Sequence, residues 1–485
     1  MKFRMIKTIA CYEAKLLRRN WGFRIFVVIA LLGTWGFQYI EQIQFSSWFK
    51  IAMPASLPWF NTYVYNILQS LMVLFVVTDV IKRDRKCDSG IVFTLYPVSN
   101  SELILGKMWG ISRIFIGLNF ISLLLAASMN VFFSLSPFDL WLYFFYFLTL
   151  SFPSLIFMIG FSFFISRLIR EHIFSLLLLL LFWGVAYWYL PEICGGAFDF
   201  FAIGIPNLFS DVTGHPALFL YLLQRVSFIG IGLGMLMFSV LWFNRLTDGK
   251  ELKRLRILSC ALLTVGIICM LGCCYSFLHD KSIRKRYADT YVKYADKLDL
   301  RVEKSSIVYR QEGNRIFVSA QLQVRNTGVS RMPELIFYLN PGLSVRQLWD
   351  NGKNLVFHRE NQVIVVQKEL QPGENITLRI EYDGKIDERI CYLDISDKEY
   401  DHAYWLDKKW RFGKRSAFVE NGYTLLLPEC LWYPVAVPPV NLKSLYATEK
   451  NFTTYDLRVF NPDRRMVISQ GKAEEIPLNL RRKIN

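Results

Sequence analysis

The loop at residues 83–107, RDRKCDSGIVFTLYPVSNSELILGK, contains residue types that suit binding to another protein. Asp88 or Ser89 can cap a short helix that Pro97 ends. Its apolar face consists of Val92, Phe93 and Leu95. Exposed apolar side chains on a short helix are the anchors by which such segments dock into a partner's groove. The chemistry predicted for this loop is therefore recognition of a cytoplasmic partner.

A second helix start follows Pro97 directly. Ser99 has the position of an N-cap and Glu102 stands three residues later, so the pair predicts a capping box before the apolar run 103–105. The two helices would form a short, stiff projection beneath the membrane, and the charged residues 83–86 would connect it to the second span.

The motifs of two common enzyme chemistries do not occur in the sequence. It contains no GxxxxGK[ST] phosphate-binding loop, and none of its five His residues begins the HExxH zinc motif. The run Gly230-x-Gly232-x-Gly234 is similar to a dinucleotide fingerprint, but it lies inside a predicted membrane span with no strand before it. We interpret it as close helix packing. We therefore expect no catalytic residues, no metal and no cofactor in this chain.

The composition requires a membrane around part of the chain. The 485 residues are 53% hydrophobic, with a mean hydropathy of +0.27, which is too apolar for a soluble protein. Apolar runs long enough to cross about 30 Å of hydrocarbon occur at 23–40, 61–81, 110–135, 139–166, 173–190, 219–243 and 257–278. The net charge of +16 forms no long basic block with interleaved aromatic residues, so nucleic acid is not an expected partner.

Basic residues mark alternate loops between these predicted spans. The loops 41–60, 136–138 and 191–218 contain a single basic residue, Lys50, whereas the N-terminal segment and the other connections are rich in Lys and Arg. Positively charged short loops stay in the cytoplasm. This pattern predicts a cytoplasmic N-terminus and, after seven crossings, an extracytoplasmic domain from residue 283 onward.

The segment at residues 1–22 combines a basic surface with an apolar stripe at helical spacing. The stripe consists of Phe3, Ile6, Ile9, Ala10, Ala14 and Leu17. This pattern is typical of an interfacial helix on the inner leaflet. A basic leader that only sets the topology fits the same residues equally well.

The part of the chain after the seventh span has the pattern of a β-domain. A polar, helix-permissive stalk is predicted at 283–300, and strand-like runs follow at 315–325, 335–339, 363–367, 376–382, 423–427 and 455–460. Short strands separated by turn signals predict an antiparallel all-β sandwich over 301–485. Cys391 and Cys430 lie in this domain, where either a disulfide or two unpaired buried thiols fits the sequence.

The 83–107 loop resembles the loop after the second span of ABC transporter permeases of the type-2 exporter class. The similarity lies in the charged run, Gly90, the short hydrophobic helix and PVSNSELILGK, and the amphipathic segment with six spans over 1–245 agrees with it. In that family this loop is the coupling helix, which contacts a separate ATP-binding subunit. The resemblance assigns that role to Asp88, Gly90, Phe93, Leu95, Pro97, Ser99, Glu102, Gly106 and Lys107. Asn100 stands where the family often has Arg, which could alter the choice of ATPase.

A second resemblance concerns the outer domain. The segments 370–386, 425–435 and 453–472 are similar to the N-terminal β-domain of the zinc aminopeptidase N family, over roughly residues 300–472. The sequence lacks the HExxH and G-x-M-E-N motifs of that family's catalytic domain, so peptidase activity is not expected.

These observations predict an α-helical polytopic membrane domain, made of a six-span permease region at 23–245 and a tethering span at 246–282, followed by the β-sandwich. The expected function is that of a permease subunit of an ABC-type exporter in a bacterial inner membrane. Its expected partners are an ABC ATP-binding subunit, a second permease chain in a homo- or heterodimer, and the lipid bilayer. The alternative is a membrane-anchored, non-catalytic, peptidase-like binding or scaffold protein.

Overall fold

A computed structural model describes residues 2–40, 53–86, 99–169, 171–211, 214–215, 217–241, 249–295, 299–393, 419–420, 422–440, 442, 451–461, 465–472 and 474. These residues form two compact units, which divide between Lys285 and Arg286. The N-terminal unit is helical, and the C-terminal unit is rich in strands.

The N-terminal unit is built from long apolar helices. They are α1 (Lys2–Arg19), α2 (Trp21–Tyr39), α3 (Ser56–Lys86), α4 (Asn100–Phe133), α5 (Leu140–Tyr146), α6 (Phe152–Leu168), α7 (His172–Trp188), α8 (Leu218–Leu241) and α9 (Gly249–Tyr294), the last of which continues into the second unit. Among the described residues, six helical segments are long and apolar enough to cross a membrane, or seven if one bent pair counts as a span.

Two of the predicted spans are interrupted helices. The fourth joins α5 to α6 through a π-helical turn at Phe147–Ser151. The fifth ends earlier than predicted, because α7 meets a 3₁₀ segment, Leu190–Gly196, at an angle of 59°. Pro191, at the start of that segment, explains the break, because it has no N–H with which to continue the α-helical hydrogen bonds.

Helix α3 lies at the centre of the N-terminal unit. In its most apolar window, 67% of the residues are buried, compared with 22% in α2. The core around α3 is rich in stacked aromatic side chains, such as Trp59 on Tyr63 with ring centroids 5.3 Å apart. Helix α2 therefore leaves most of its apolar surface outside this core.

The glycine run in α8 packs closely against its neighbouring helices, which confirms the interpretation made from the sequence. A Cβ atom added to Gly160 of α6 would lie 1.9 Å from the carbonyl oxygen of Gly232. One added to Gly230 would lie 3.2 Å from Gly266 Cα in α9. The helices approach at these points because neither side has a side chain.

The C-terminal unit contains two sheets. Its strands are β1 (Leu300–Glu312), β2 (Arg315–Asn326), β3 (Leu335–Tyr338), β4 (Leu343–Asp350), β5 (Lys353–Asn354), β6 (Phe357–Glu360), β7 (Val363–Val366), β8 (Asn375–Gly384) and β9 (Thr454–Phe460). The larger sheet has the order β5-β4-β8-β2-β1-β9 and the smaller β3-β7-β6. Residues alternate between buried and exposed along β2, as its sequence predicts.

Two details of the β-domain differ from the expectation. The pair β1 and β9 is parallel, so the larger sheet is mixed and not wholly antiparallel. Residues 423–427 form no strand, and Thr424 makes only an isolated bridge to Val419. The chain turns directly afterwards into the 3₁₀ turn Pro428–Cys430, where Pro cannot donate a ladder hydrogen bond.

The segment 283–300, predicted to be a helix-permissive stalk, is helical as far as Tyr294. Helix α9 continues without a break to Tyr294, and β1 begins at Leu300. The last turns of α9 belong to the second unit and bury three side chains there, Tyr287, Tyr291 and Tyr294. Their i, i+4, i+7 spacing puts them on one face of the helix. The ring of Tyr291 stacks on Tyr338 at 5.6 Å. The last turns of α9 are thus part of the second unit's core.

Cys391 and Cys430 of the C-terminal unit are both buried, and neither is in a disulfide. The Cys430 Sγ donates a hydrogen bond to the Leu427 carbonyl at 3.0 Å. Burial raises the pKa of the Cys430 thiol to about 12. Of the two arrangements that fit the sequence, the structure contains the one without a disulfide.

One carboxylate connects three strands of the larger sheet. Asp383 of β8 is 5% exposed and accepts a hydrogen bond from Arg315 Nε of β2 at 3.0 Å and others from Arg346 of β4. Hydrogen bonds and charge from Arg346, and then from Arg315, lower the pKa of this carboxyl. The pKa of this carboxyl is lower in the folded state than its unfolded value of about 4, so the ionised carboxylate stabilises the fold above that pH. This stabilisation is lost as the pH falls through the folded-state pKa.

We therefore expect Asp383→Asn to loosen β8 at pH 7 and to have a smaller effect near pH 3, where the unfolded carboxyl is already mostly protonated. Hydrogen exchange of the β8 amides, compared between variant and parent at the same pH, measures this difference, since intrinsic exchange rates then cancel. Glu381→Gln is the matched control, because Glu381 lies on the same strand in an exposed pair with Arg379 at 2.9 Å. An equal effect of Asp383→Asn at both pH values would contradict the electrostatic explanation.

Candidate functional site

The predicted partner-binding residues fall into two groups. Asp88, Gly90, Phe93, Leu95 and Pro97 lie outside the described residues. The other four, Ser99, Glu102, Gly106 and Lys107, lie at the start of α4, which then continues as the third apolar span. The described part of the site is therefore the start of α4, which directly follows the rest of the predicted coupling loop in the sequence.

The predicted capping box at the start of α4 is present. The Glu102 backbone N–H donates to Ser99 Oγ at 3.2 Å, and the Ser99 N–H donates to Glu102 Oε2 at 3.0 Å. Ser99 has extended backbone angles, so its side chain faces the first turn of the helix. This reciprocal pair fixes the point at which the chain enters α4.

Two glycines allow α1 to lie directly on the first turns of α4. A Cβ atom on Gly106 would lie 2.8 Å from Ile9 Cβ, and one on Gly110 would lie 2.7 Å from the Ala10 carbonyl oxygen. Ala10 and Ala14, small residues of the predicted apolar stripe, are both buried. The stripe of α1 is thus covered by protein, at least in part, rather than by lipid alone.

An ionic cluster centred on the buried carboxylate of Glu13 joins α1 to α4 and α3. Glu13 of α1 is 6% exposed; its Oε1 lies 3.3 Å from Lys107 Nζ of α4 and its Oε2 lies 3.2 Å from Arg83 Nη2 of α3. Arg83 also lies 3.5 Å from Asp79, one turn earlier on α3. We call Glu13, Asp79, Arg83 and Lys107, together with the Ser99–Glu102 capping box, the coupling platform.

The coupling platform connects three helices through one carboxylate. Lys107 is 4% exposed, so its ammonium and the Glu13 carboxylate interact with little screening by water. A buried pair of this kind fixes relative positions, since separating the partners leaves an unpaired charge in an apolar environment.

Asn100 stands within the same turn. Its side chain is 2% exposed, and its amide oxygen and nitrogen have no hydrogen-bond partner among the described residues. A buried amide without partners costs free energy. A polar group that formed a hydrogen bond with the Asn100 amide would therefore be favourable at this position of the coupling platform.

Sequence reasoning missed Glu13. It is the only acidic residue in the first 40 residues, and it lies on the apolar stripe between Ala10 and Leu17, at helical spacing from both. An acidic side chain on the apolar face of a basic helix indicates a buried partner of opposite charge. That signal could have identified Glu13 before the structure was known.

A polar seam crosses the interior of the helical unit. Its hydrogen bonds join Asn61 to Ser122 at 3.1 Å, Asn66 to Ser154 at 3.1 Å and Gln69 to Ser151 at 3.2 Å. All six residues are buried. In an apolar surrounding, such bonds hold helices together, so we interpret the seam as fixing α3 against α4, α6 and the π-helical turn.

Arg225 of α8 is buried within the helical unit. It is 2% exposed, and its guanidinium donates to the Phe200 carbonyl at 2.8 Å and to the Asp199 carbonyl at 2.9 Å. The Asp199 carboxylate in turn accepts from the Phe201 N–H at 2.8 Å and from the Gly204 N–H at 2.9 Å. Together these bonds fix the connection that follows the bent segment Leu190–Gly196.

The described residues contain no group of three or more His, Cys, Asp or Glu side chains that could hold a metal ion.

Comparison with known proteins gives limited similarity. No family model matches the sequence, and no curated protein matches it. The solved structures similar to it include the M1 zinc metallopeptidase from Deinococcus radiodurans and a point mutant of the same enzyme bound to a Tyr-Ser-Ala substrate, each with 20% identity and a TM-score of 0.17. The similarity covers 18% of this chain and 21% of each of those chains, so this chain spans about a fifth of their length.

Proposed function

We propose that this chain is the membrane subunit of an ABC-type exporter and that a separate ATP-binding subunit drives it. The observation that carries the proposal is the continuity of the capped turn at Ser99 with α4, a 34-residue helix that includes the third apolar span. A force applied to the preceding loop would pass into that span without an intervening hinge.

The coupling platform supports this proposal. Its buried Glu13 connects α1 and α3 to the start of α4, at 3.2 Å from Arg83 and 3.3 Å from Lys107. A loop that moved α4 would therefore also move α1 and α3. A solvated connector between two spans has no need of a buried ionic cluster, which is costly unless its geometry is fixed.

The proposed orientation puts the N-terminus in the cytoplasm of a bacterial inner membrane and the β-domain on the opposite side. It requires α7 and its bent segment to act as one crossing. The 17 residues of α7 correspond to roughly 25 Å at 1.5 Å per residue, which nearly spans a hydrocarbon core of about 30 Å. A second permease chain, of the same or another sequence, would complete the transport path.

Recovery of the ATP-binding subunit tests the proposal. Truncating Phe93 or Leu95 to Ala should weaken its association by about 1–3 kcal/mol each, since a few buried anchors dominate most interfaces. Glu102→Ala should act indirectly, by loosening the capping box, at about 0.5–2 kcal/mol. Co-purification from cells at matched expression, followed by mass spectrometry of the recovered ATPase, gives the measurement.

Ser128→Ala serves as the matched control for Glu102→Ala. Ser128 lies on the same helix, and its hydroxyl donates to the Leu125 carbonyl at 2.8 Å, far along the chain from the capped turn. Undiminished recovery of the ATPase with all three loop variants would remove the support for a transporter. That outcome would favour the membrane-anchored binding or scaffold protein, whose helices act only as an anchor.

A further inference from the structure

Strand β9, Thr454–Phe460, forms one edge of the larger sheet. It pairs with β1 on one side and with no other described strand, and six of its seven residues are exposed. Proteins usually protect such an edge with Lys, Pro or a bulge. The sequence of β9, TYDLRVF, has neither Lys nor Pro, and its register with β1 is continuous. Over residues 455–459, the described structure leaves this edge available to a further strand.

The apolar side of β9 continues the core side of the sheet. In the parallel register, Tyr455 and Leu457 stand beside Ser305 and Ile307 of β1, and both β1 residues are buried. Neighbouring residues in such a register point to the same face of a sheet. Tyr455 and Leu457 are nevertheless 49% and 37% exposed. The apolar face thus extends to the edge of the sheet, where a further strand with apolar residues on the same side would cover it.

The charges of β9 have an order that complements itself. Asp456 and Arg458 point to the other face, where both are about half exposed and lie 3.5 Å apart. If a second β9 lies antiparallel beside the first with Leu457 opposite Leu457, each Asp456 lies opposite Arg458 of the other copy. The same register puts Tyr455 opposite Val459. Opposed charges and opposed apolar residues both stabilise antiparallel strands, and an interface with two-fold symmetry has to be self-complementary in this way.

We propose that the β9 strands of two copies of this chain pair antiparallel, with Leu457 on the two-fold axis, and join their two six-stranded sheets into one. The inference deepens the proposed function, on which it rests for the second permease chain, because it makes that chain a copy of the same sequence. A pair of short strands alone is marginally stable in water. Two chains already held together in the membrane would meet at a high effective concentration, which removes most of that difficulty.

A cysteine on the proposed axis tests the pairing in the full-length protein. Opposed residues of antiparallel strands have Cβ atoms about 4.5–5.5 Å apart, which is close to the distance that a disulfide needs. Membranes that contain Leu457→Cys are oxidised with copper–phenanthroline and analysed on a non-reducing gel. We expect a band of twice the monomer mass that exceeds any such band in the parent and disappears on reduction. No increase over the parent would contradict the pairing.

Val308→Cys is the matched control for this cross-link. Val308 lies on β1, one strand further from the proposed axis, and is 51% exposed. The β1 strands of the two copies would be three strand spacings apart, roughly 14 Å, which is beyond the reach of a disulfide. A band as strong with Val308→Cys as with Leu457→Cys would show that the cross-link arises from random collision and would overturn the proposal.

Charge reversal tests the register. Asp456→Arg and Arg458→Asp each put two pairs of like charges across the proposed interface, so self-association should weaken by about threefold or more. When the two variants are co-expressed with different affinity tags, the mixed pair again has opposite charges across the interface, although each chain has lost the ion pair within its own β9. Recovery of one tag with the other should be low for each variant with itself and restored for the mixed pair.

The control for charge reversal is the pair Arg379→Asp and Glu381→Arg on β8. Arg379 and Glu381 are also two residues apart, with a contact of 2.9 Å, but β8 lies inside the sheet between β4 and β2. Neither control variant should change self-recovery. Self-recovery of Asp456→Arg equal to that of the parent, or a mixed pair as weak as the self pairs, would overturn the proposal.

Recovery of the ATP-binding subunit distinguishes this proposal from the proposed function. A Leu457→Cys cross-link in a protein that recovers no ATPase would contradict the exporter and leave the β9 pairing intact. Recovery of the ATPase without a cross-link and without an effect of charge reversal would overturn the pairing and leave the exporter intact. The second permease chain would then have another sequence or contact the first elsewhere.

Discussion

Gly160→Val and Gly232→Val are expected to yield almost no folded protein. A Cβ atom on Gly160 would lie 1.9 Å from the Gly232 carbonyl oxygen, and one on Gly232 would lie 2.6 Å from Phe157 Cα. These obstructing atoms are backbone atoms, so no side-chain rotation can remove the overlap and α6 must separate from α8. Overpacking ordinarily costs about 1–3 kcal/mol, and we expect at least the upper end of that range here.

The yield of monodisperse protein in mild detergent and its midpoint of thermal unfolding measure this effect. Gly117→Ala is the matched control, because Gly117 lies in α4, where a new Cβ would meet no atom within 4 Å. That control should be neutral or slightly stabilising, since Ala is the better helix former. A Gly160→Val protein that melts with the parent would show that the crossing of α6 and α8 is much looser than described.

The spacing of the three α8 glycines follows from this crossing. Residues two apart on a helix point to nearly opposite sides, and residues four apart lie on the same side. Gly232 faces α6, whereas Gly230 and Gly234 face α9, where their added Cβ atoms would meet Gly266 and Leu263. The alternate glycines thus allow α8 to fit between two helices at once, which a nucleotide-binding turn would not explain.

The sequence predicted most of the helices well because uninterrupted apolar runs leave few alternatives. The run 173–190 corresponds to α7, His172–Trp188, and the run 219–243 to α8, Leu218–Leu241. The π-helical turn within the fourth span could not be predicted, since it depends on tertiary packing and not on composition. The bend after α7 was missed for a similar reason, although Pro191 and two glycines indicate a break.

The strands were predicted unevenly. Strand β2 alternates apolar and polar residues and was identified within one residue of its end, whereas β1, with the sequence LRVEKSSIVYRQE, is too polar to stand out. Strand β1 is central because it pairs with both β2 and β9. Its place in the sheet is determined by those neighbours, which single-strand patterns cannot reveal.

The candidate site was predictable where it depends on local chemistry. The capping box of Ser99 and Glu102 needs only residues three apart, and it is present as expected. The ion pair between Glu13 and Lys107 joins residues 94 positions apart, so only the packing of α1 on Gly106 and Gly110 brings them together. Local sequence patterns therefore predicted the capped turn, and the structure adds the ion pair beside it.

Glu13→Gln is expected to destabilise the N-terminal unit by about 3–5 kcal/mol, because it leaves two positive groups without their shared carboxylate. Lys107→Gln should cost less, since Glu13 would keep its contact with Arg83 at 3.2 Å. The midpoint of thermal unfolding in detergent gives the order of the two variants. Lys15→Gln, on the exposed face of α1, is the control and should change stability by no more than about 0.5 kcal/mol.

The double variant Glu13→Gln with Lys107→Gln distinguishes a specific ion pair from general damage to α1. If the two side chains interact directly, the double variant should be clearly more stable than the sum of the single effects predicts, because the second substitution removes a charge that the first left unpaired. Recovery of the ATP-binding subunit should follow the same order, since the platform supports the coupling loop. Strictly additive losses would contradict a direct interaction between Glu13 and Lys107. An ATPase complex that survives Glu13→Gln unchanged would mean that the cluster has no part in coupling.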